Sequence, residues 1–177
     1  MGIFSAFTLI RTVSLFHITA AYFLLTAPKI LSDQNVVYML GEAMRISHAT
    51  TLDKPSEASA FAGILLALLG ISDLAAASMN ELIALEYWLY NVQTRLMFFF
   101  GLTGYVYLFK EDGMLGSGDA TKLGIGEPLQ NSLVFAFGFF EIGLWFWIFT
   151  SLREERDTLA RKRMEELKAK EDFERRL

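Results

Sequence analysis

The chain has 177 residues, of which 53% are hydrophobic and 14% aromatic, and its mean hydropathy is +0.35. Only seven of its 16 Lys and Arg residues precede position 153, so its body contains long stretches almost free of charge. A soluble domain of this size needs polar faces on its helices, and most of these segments have none. The composition therefore predicts an integral membrane protein. The net charge of −4 comes without a basic groove pattern, so we expect no nucleic-acid partner.

Four windows of the sequence meet the requirement for a membrane-spanning helix, which is about 20 mostly apolar residues. The second follows Ser56, a residue type that caps helix N-termini. The windows are residues 8–27, 59–79, 91–109 and 130–152. We therefore predict an all-α fold in which residues 1–152 form a four-transmembrane-helix bundle.

Aromatic side chains gather near the ends of the third and fourth windows. Trp88 precedes the third window, and Trp145 and Trp147 lie toward the end of the fourth. Trp and Tyr favour the headgroup level of a bilayer, because one end of the ring system is polar. We therefore expect these side chains at the membrane interfaces.

The connections between the windows differ in kind. Residues 28–58 form the longest, and we predict a short amphipathic helix in it, with Asp33 as N-cap. The apolar and small residues at helical spacing there are Val36, Leu40, Ala43, Met44 and Ser47. Residues 110–129 are rich in glycine and indicate a loop.

The last 25 residues differ sharply in composition from the rest. Residues 153–177 hold nine Lys or Arg and eight Asp or Glu, with no Gly or Pro. Opposite charges recur four residues apart, as in Glu166–Lys170 and Glu171–Arg175, a spacing that stabilises a solvent-exposed helix. We predict a charged helical tail that continues the fourth span.

The distribution of cations predicts the orientation in the membrane. With four spans both chain ends lie on one side. Arg11 and the nine tail cations there count ten against five on the opposite side, with Arg95 left out because it lies within a span. Loops and ends rich in Lys and Arg stay in the cytosol. We therefore expect both termini in the cytosol.

Four ionisable side chains, one from each predicted span, stand out as candidates: His17, Asp73, Arg95 and Glu141. Such groups are costly in a bilayer and need a partner or a purpose. A guanidinium has five donors and pairs with a carboxylate through two parallel bonds, so we predict that Arg95 pairs with Asp73 or Glu141. These four residues are the candidates for an intramembrane polar network.

Three interpretations of this polar set remain open. Polar contacts hold membrane helices together, as do small residues such as those at Gly63, Ala67 and Gly70. Alternatively, the groups form an ion or ligand site, or they lie at the interface and reach water. With two histidines and no cysteine, we expect no metal site and no cofactor. No motif supports catalysis, so we expect no enzymatic activity.

An ordered set of short segments along residues 40–156 resembles a known family. The segments are Glu42-Ala43-Met44, Gly70-Ile71-Ser72-Asp73-Leu74, Arg95-Leu96 with Phe98-Phe99, Tyr105 with Tyr107, Asn131-Ser132-x-Val134-Phe135, Phe140-Glu141, and Leu152-Arg153-Glu154-Glu155-Arg156. In spacing and order they resemble the fungal "increased loss of mitochondrial DNA" family of small multi-pass membrane proteins. The resemblance implies four spans, a location in the endoplasmic reticulum (ER) membrane and no established catalysis.

These observations together favour a non-enzymatic ER membrane protein that acts as an accessory subunit or scaffold of a larger membrane assembly. Its expected partners are membrane lipids and other membrane protein subunits. An oligomeric ion channel or transporter is one alternative, and it requires a homo-oligomer because four helices enclose little space. A four-span lipid- or sterol-binding protein is the other.

Overall fold

A computed structural model describes residues 5–110, 113–115 and 126–175, and every regular element in these ranges is helical. The predicted all-α class is therefore confirmed. The elements are α1 (Ala6–Thr26), α2 (Lys29–Ser32), α3 (Asn35–Met44), α4 (Glu57–Ala76), α5 (Glu81–Leu108), a short 3₁₀ helix (Glu127–Leu129) and α6 (Ser132–Glu174). Most of the predicted glycine-rich loop lies outside the described residues.

Within the described ranges, three helices are long and apolar enough to cross a membrane, namely α1, α4 and α6. The predicted third span belongs to α5, which is not among them. Its 28 residues are long enough, about 42 Å at 1.5 Å per residue. However, Asn91, Gln93 and Arg95 lower its mean hydropathy. Helix length and apolarity by themselves thus support a membrane protein with three apolar spans.

The helices pack as two antiparallel pairs joined through α1 and α6. In the first pair, Gly63 of α4 lies against the carbonyl of Ala21 in α1, and Gly70 lies against that of Ser14. In the second pair, α5 faces α6: Trp88 stacks on Trp145 and Phe99 packs edge-on against Phe137, with both pairs of ring centroids 5.7 Å apart. In both pairs, residues later in one helix contact residues earlier in the other, so the two helices are antiparallel.

Side-chain caps mark the starts of three long helices. The Ser56 hydroxyl accepts a bond from the Ser59 amide and the Ser59 hydroxyl accepts one from the Ser56 amide, so α4 begins with a capping box. At the starts of α5 and α6, the side-chain oxygens of Asn80 and Asn131 accept single bonds from the amides of Leu82 and Val134. The expectation for Ser56 is confirmed, and each such cap contributes about 1 kcal/mol.

The predicted short helix in the first connection is present as α3, but two of its details are wrong. Asp33 is not its N-cap; that position is Gln34, whose side chain makes no capping bond, and Asp33 instead ends α2. The helix also ends before Ser47, because Arg45 adopts a left-handed backbone with φ of 53°. The chain then turns so that the Ser47 carbonyl accepts a 2.8 Å bond from the amide of Ser132 at the start of α6.

Helix α6 continues without a break from the apolar span into the charged tail. Near the junction, Glu155 accepts a 2.7 Å bond from the amide of Ala6, the first residue of α1. A carboxylate at that position accepts a bond from a helix amide that otherwise lacks a partner. Its negative charge also interacts favourably with the positive end of the helix dipole. Farther along, Glu171 and Arg175 lie 3.9 Å apart, as expected from their spacing.

The contact between α1 and α4 depends on glycine at position 70. A Cβ atom there would lie 2.8 Å from the carbonyl oxygen of Ser14 and 2.9 Å from Cγ1 of Ile18. We expect Gly70→Ala to destabilise the protein by about 1–3 kcal/mol, because the two backbones must move apart. Thermal unfolding of the detergent-purified variant, followed by size-exclusion chromatography, measures this.

Gly101→Ala is the matched control, since a Cβ on Gly101 would meet no atom within 4 Å. Alanine is the better helix former, so this variant should unfold at the same temperature as the unmodified protein or slightly higher. Equal losses in the two variants would contradict the close α1–α4 packing.

Candidate functional site: a buried polar network

The structure gathers the four candidate residues into two pairs. Arg95 of α5 contacts Asp73 of α4, and His17 of α1 contacts Glu141 of α6. His17, Asp73 and Glu141 are buried, and the Arg95 side chain is 15% exposed. The pairs therefore connect helices that are otherwise held by apolar and small residues.

Arg95 and Asp73 form a bidentate ion pair. Two guanidinium nitrogens donate to the two carboxylate oxygens of Asp73 at 2.7 and 2.6 Å. The third nitrogen, Nε, donates to the side-chain oxygen of Asn91 at 2.6 Å. A turn over residues 77–80 joins α4 to α5 and brings the two groups to the same end of the bundle. Asp73 thus does not reach water at the interface, one of the alternatives left open above.

Glu141 accepts bonds at both carboxylate oxygens. Nε2 of His17 lies 2.8 Å from Oε1, and the indole N–H of Trp145 donates to Oε2 at 2.6 Å. Glu141 and Trp145 are one helical turn apart on α6, where side chains at i and i+4 meet. The carboxylate thereby joins α1 to α6.

The indole of Trp145 connects the two pairs. The guanidinium carbon of Arg95 lies 4.5 Å from the Trp145 ring centroid and 5.5 Å from that of Trp88. The two indoles stack at an interplanar angle of 14°. All four predicted residues therefore belong to one continuous network in which a desolvated cation lies over aromatic faces, a favourable arrangement.

Trp88 and Trp145 do not face lipid headgroups as expected, because both are fully buried between α5 and α6. Trp147, in contrast, is 51% exposed. Asn91 and Trp145 were also missed as members of the network. The signal that could have found them is spacing, because each lies four residues from its partner, Arg95 or Glu141, on the same helix face.

Two polar atoms of the network have no hydrogen-bond partner within the described residues, namely Nδ1 of His17 and Nε1 of Trp88. Oγ1 of Thr103, beside Gly138 and outside the network, is also buried without one. Nor do three His, Asp or Glu side chains of the described residues come together in an arrangement that could hold a metal ion. Chemically, Arg95 and Asp73 neutralise each other, and His17 and Trp145 donate hydrogen bonds to the carboxylate of Glu141.

The other histidine lies at the opposite end of the bundle. His48 stacks on Tyr38 with ring centroids 4.2 Å apart, and its Nδ1 lies 3.3 Å from the hydroxyl of Ser132. Its Nε2 is 3.8 Å from Asp33. His48 therefore attaches the first connection to the start of α6 and takes no part in the network of Arg95 and Glu141.

Comparison with known proteins identifies the family. The model of the "Increased loss of mitochondrial DNA protein 1" family matches residues 4–162. The chain belongs to this family. A relative named Protein ilm1, from Schizosaccharomyces pombe, is 27% identical over 146 residues, which cover 81% of this chain and 79% of the relative. No solved structure matches the chain.

The match confirms the resemblance inferred from the ordered segments of the sequence. The family region includes α1 to α5, the apolar part of α6 and the four residues of the polar network. It ends at residue 162, within α6, so the last part of the charged tail lies beyond it.

Proposed function

We propose that this member of the Ilm1 family is a non-enzymatic accessory subunit or scaffold of a membrane protein assembly in the ER. In this proposal the chain crosses the membrane four times with both termini in the cytosol. The charged end of α6 is the part that contacts the partner.

Packing supports α5 as the fourth span in spite of its polar residues. Helices α1 and α5 both run antiparallel to the same stretch of α6. On α1, Ala6 and His17 lie opposite Glu155 and Glu141. On α5, Trp88 and Phe99 lie opposite Trp145 and Phe137. Helix α5 therefore occupies the same layer as the apolar spans, and its Arg95 faces the protein interior, where polar groups inside a membrane are tolerated.

The cytosolic orientation is supported by charge. Four antiparallel helices place the start of α1 beside the point where α6 becomes charged, as the bond between Ala6 and Glu155 shows. Nine Lys or Arg residues follow Leu152, and the first of them lie near the membrane, where the positive-inside rule applies best.

The polar network supports a structural role over a transport pathway. Asp73, Arg95 and Glu141 are bonded to other side chains of the same chain, and Asp73 and Glu141 are almost completely buried. Groups that line an ion pathway face water or an ion, whereas interhelical polar bonds hold membrane bundles together.

The single observation that carries the partner-binding role is the free portion of α6. The helix extends through Glu174, and its last 15 residues, 160–174, are about 22 Å long at 1.5 Å per residue. Beyond Leu159, which packs against the core, Met164 and Leu167 are more than half exposed. An isolated helix of this length is marginal in water, so a binding partner would stabilise it.

Met164 and Leu167 lie on one face of the free helix and test the proposal directly. We expect Met164→Gln combined with Leu167→Gln to reduce recovery of co-purifying membrane subunits about tenfold, because two apolar contacts are lost. Recovery is measured by crosslinking in native microsomes, affinity purification and quantitative mass spectrometry. Protease added to the sealed microsomes first checks that the tail is cytosolic.

The matched control is Lys162→Gln combined with Glu166→Gln, which changes the opposite face of the same helix and preserves the net charge. This variant should retain its partners. Both variants should insert into the membrane normally, because neither alters an apolar span. Equal recovery from both variants and the unmodified protein would refute the scaffold role of the tail, as would a tail protected from protease.

A further inference from the structure

A groove of about 520 Å³ opens on the outer surface between α5 and α6, away from the polar network. Its apolar floor includes Leu89, which is buried, and Phe149, which is partly buried. Tyr90 and Gln93 stand on the α5 side, and Tyr90 is 76% exposed. The groove thus has an apolar base and a polar, aromatic rim.

The charges around the groove are of both signs and are separated between its two walls. Glu86 lies on the α5 wall, while Arg153 and Arg156 lie on the α6 wall. Among the described residues Glu86 has no ion pair, and the Arg153 guanidinium lies 5.8 Å from the Phe149 ring. In the described part of the chain, Arg156 forms an ion pair only with its neighbour Asp157, at 3.7 Å. The walls therefore present an unpaired anion opposite two cations.

The groove lies at the level where phospholipid headgroups would lie. Arg153 is the first charged residue after the apolar part of α6, and residues 142–152 before it carry no charge. Helix α1 begins at the same level, because Ala6 bonds to Glu155. In a bilayer the lower part of the groove faces the acyl region and its charged rim faces the headgroups.

We propose that this groove binds the headgroup of a zwitterionic glycerophospholipid. Arg153 and Arg156 receive its phosphate, Glu86 and the ring of Tyr90 receive its ammonium group, and Leu89 and Phe149 contact the start of the acyl chains. Arginine suits the phosphate because its planar donors bind oxyanions. A carboxylate beside an aromatic face suits a substituted ammonium ion.

The presence of Glu86 selects the zwitterionic class over anionic lipids. An anionic headgroup would gain from Arg153 and Arg156 but would be repelled by the carboxylate on the opposite wall. A dipolar headgroup matches both walls. The proposal requires the chain to be in a membrane, and it holds whether or not the tail binds a protein partner.

The full-length protein in lipid nanodiscs provides the test. Nanodiscs of phosphatidylcholine carry a trace of a photoactivatable phosphatidylcholine, and peptide mass spectrometry locates the adducts. We expect adducts on residues 86–93 and 149–156. Arg153→Gln with Arg156→Gln should lower adduct yield there about tenfold, since two charge-assisted bonds are lost. Glu86→Gln should lower it as well.

Matched controls are Arg161→Gln with Arg163→Gln on the exposed tail and Glu81→Gln at the start of α5, none of which line the groove. Native mass spectrometry with competing phosphatidylglycerol distinguishes the lipid classes. Unchanged phosphatidylcholine adducts in Glu86→Gln, or phosphatidylglycerol that binds the unmodified protein as strongly as phosphatidylcholine does, would overturn the zwitterionic assignment. Displacement by millimolar glycerophosphocholine would show a site for the free headgroup and not for a lipid. Equal losses in the controls, or adducts elsewhere only, would also overturn the proposal.

Discussion

Replacing Arg95 with leucine is expected to lower the free energy of unfolding by about 3–5 kcal/mol, the usual cost of stranding one partner of a buried ion pair. The almost completely buried carboxylate of Asp73 would then lose both hydrogen bonds from the guanidinium group. Asp73→Ala should be similarly destabilising, because it strands the guanidinium between α4 and α5. Unfolding in mixed micelles measures both losses.

The double variant, Arg95→Leu with Asp73→Ala, should lose less stability than the sum of the single losses, because neither charge remains uncompensated. Retained partner binding in the double variant would then identify the pair as a structural link. Single variants of normal stability that lack function would contradict this interpretation and indicate an ion or ligand pathway. Additive losses would mean that the two groups are not coupled.

Glu141→Leu is expected to be about as damaging, because Glu141 is the shared acceptor of the network. Without its carboxylate, the indole N–H of Trp145 and Nε2 of His17 lose their acceptor in a buried site. Each stranded group costs about 1–3 kcal/mol. Glu141→Gln keeps one acceptor oxygen and should cost clearly less, and the same unfolding measurement compares the two.

Adding His17→Leu to Glu141→Leu should restore part of the stability, because only the indole then lacks a partner. The control is Glu165→Leu, which removes a carboxylate from the exposed part of the same helix and should change stability by less than about 0.5 kcal/mol. If Glu141→Leu were no worse than this control, Glu141 would not hold α1 to α6.

The sequence alone determined the membrane character, the helical class, the family and the set of ionisable groups that require partners. These properties depend on local composition: a long apolar run indicates a span, and one charged side chain inside it is conspicuous whatever surrounds it. The cap at Ser56 was also predictable, because it acts on amides only a few residues away.

Only the tertiary structure decided which groups pair. Either Asp73 or Glu141 could have received Arg95, and the choice followed from how the α4–α5 turn and the stacked Trp88 and Trp145 arrange the helices around the guanidinium. The same packing turned Arg95 toward the protein interior. It lies on α5, which we predicted as a span from the sequence, although the apolarity of α5 by itself does not support one.

The end of α3 and the groove between α5 and α6 could not be predicted from the sequence, for a related reason. Asp33 is as good an N-cap residue as Ser56, but the backbone turned at Gln34, and Arg45 entered a left-handed conformation that apolar spacing does not reveal. Glu86 and Arg153 are 67 residues apart in the chain, and only the antiparallel packing of two helices places them on facing walls. Composition and spacing report on neighbours along a helix, whereas contacts between helices depend on the relative rotation and depth of each one.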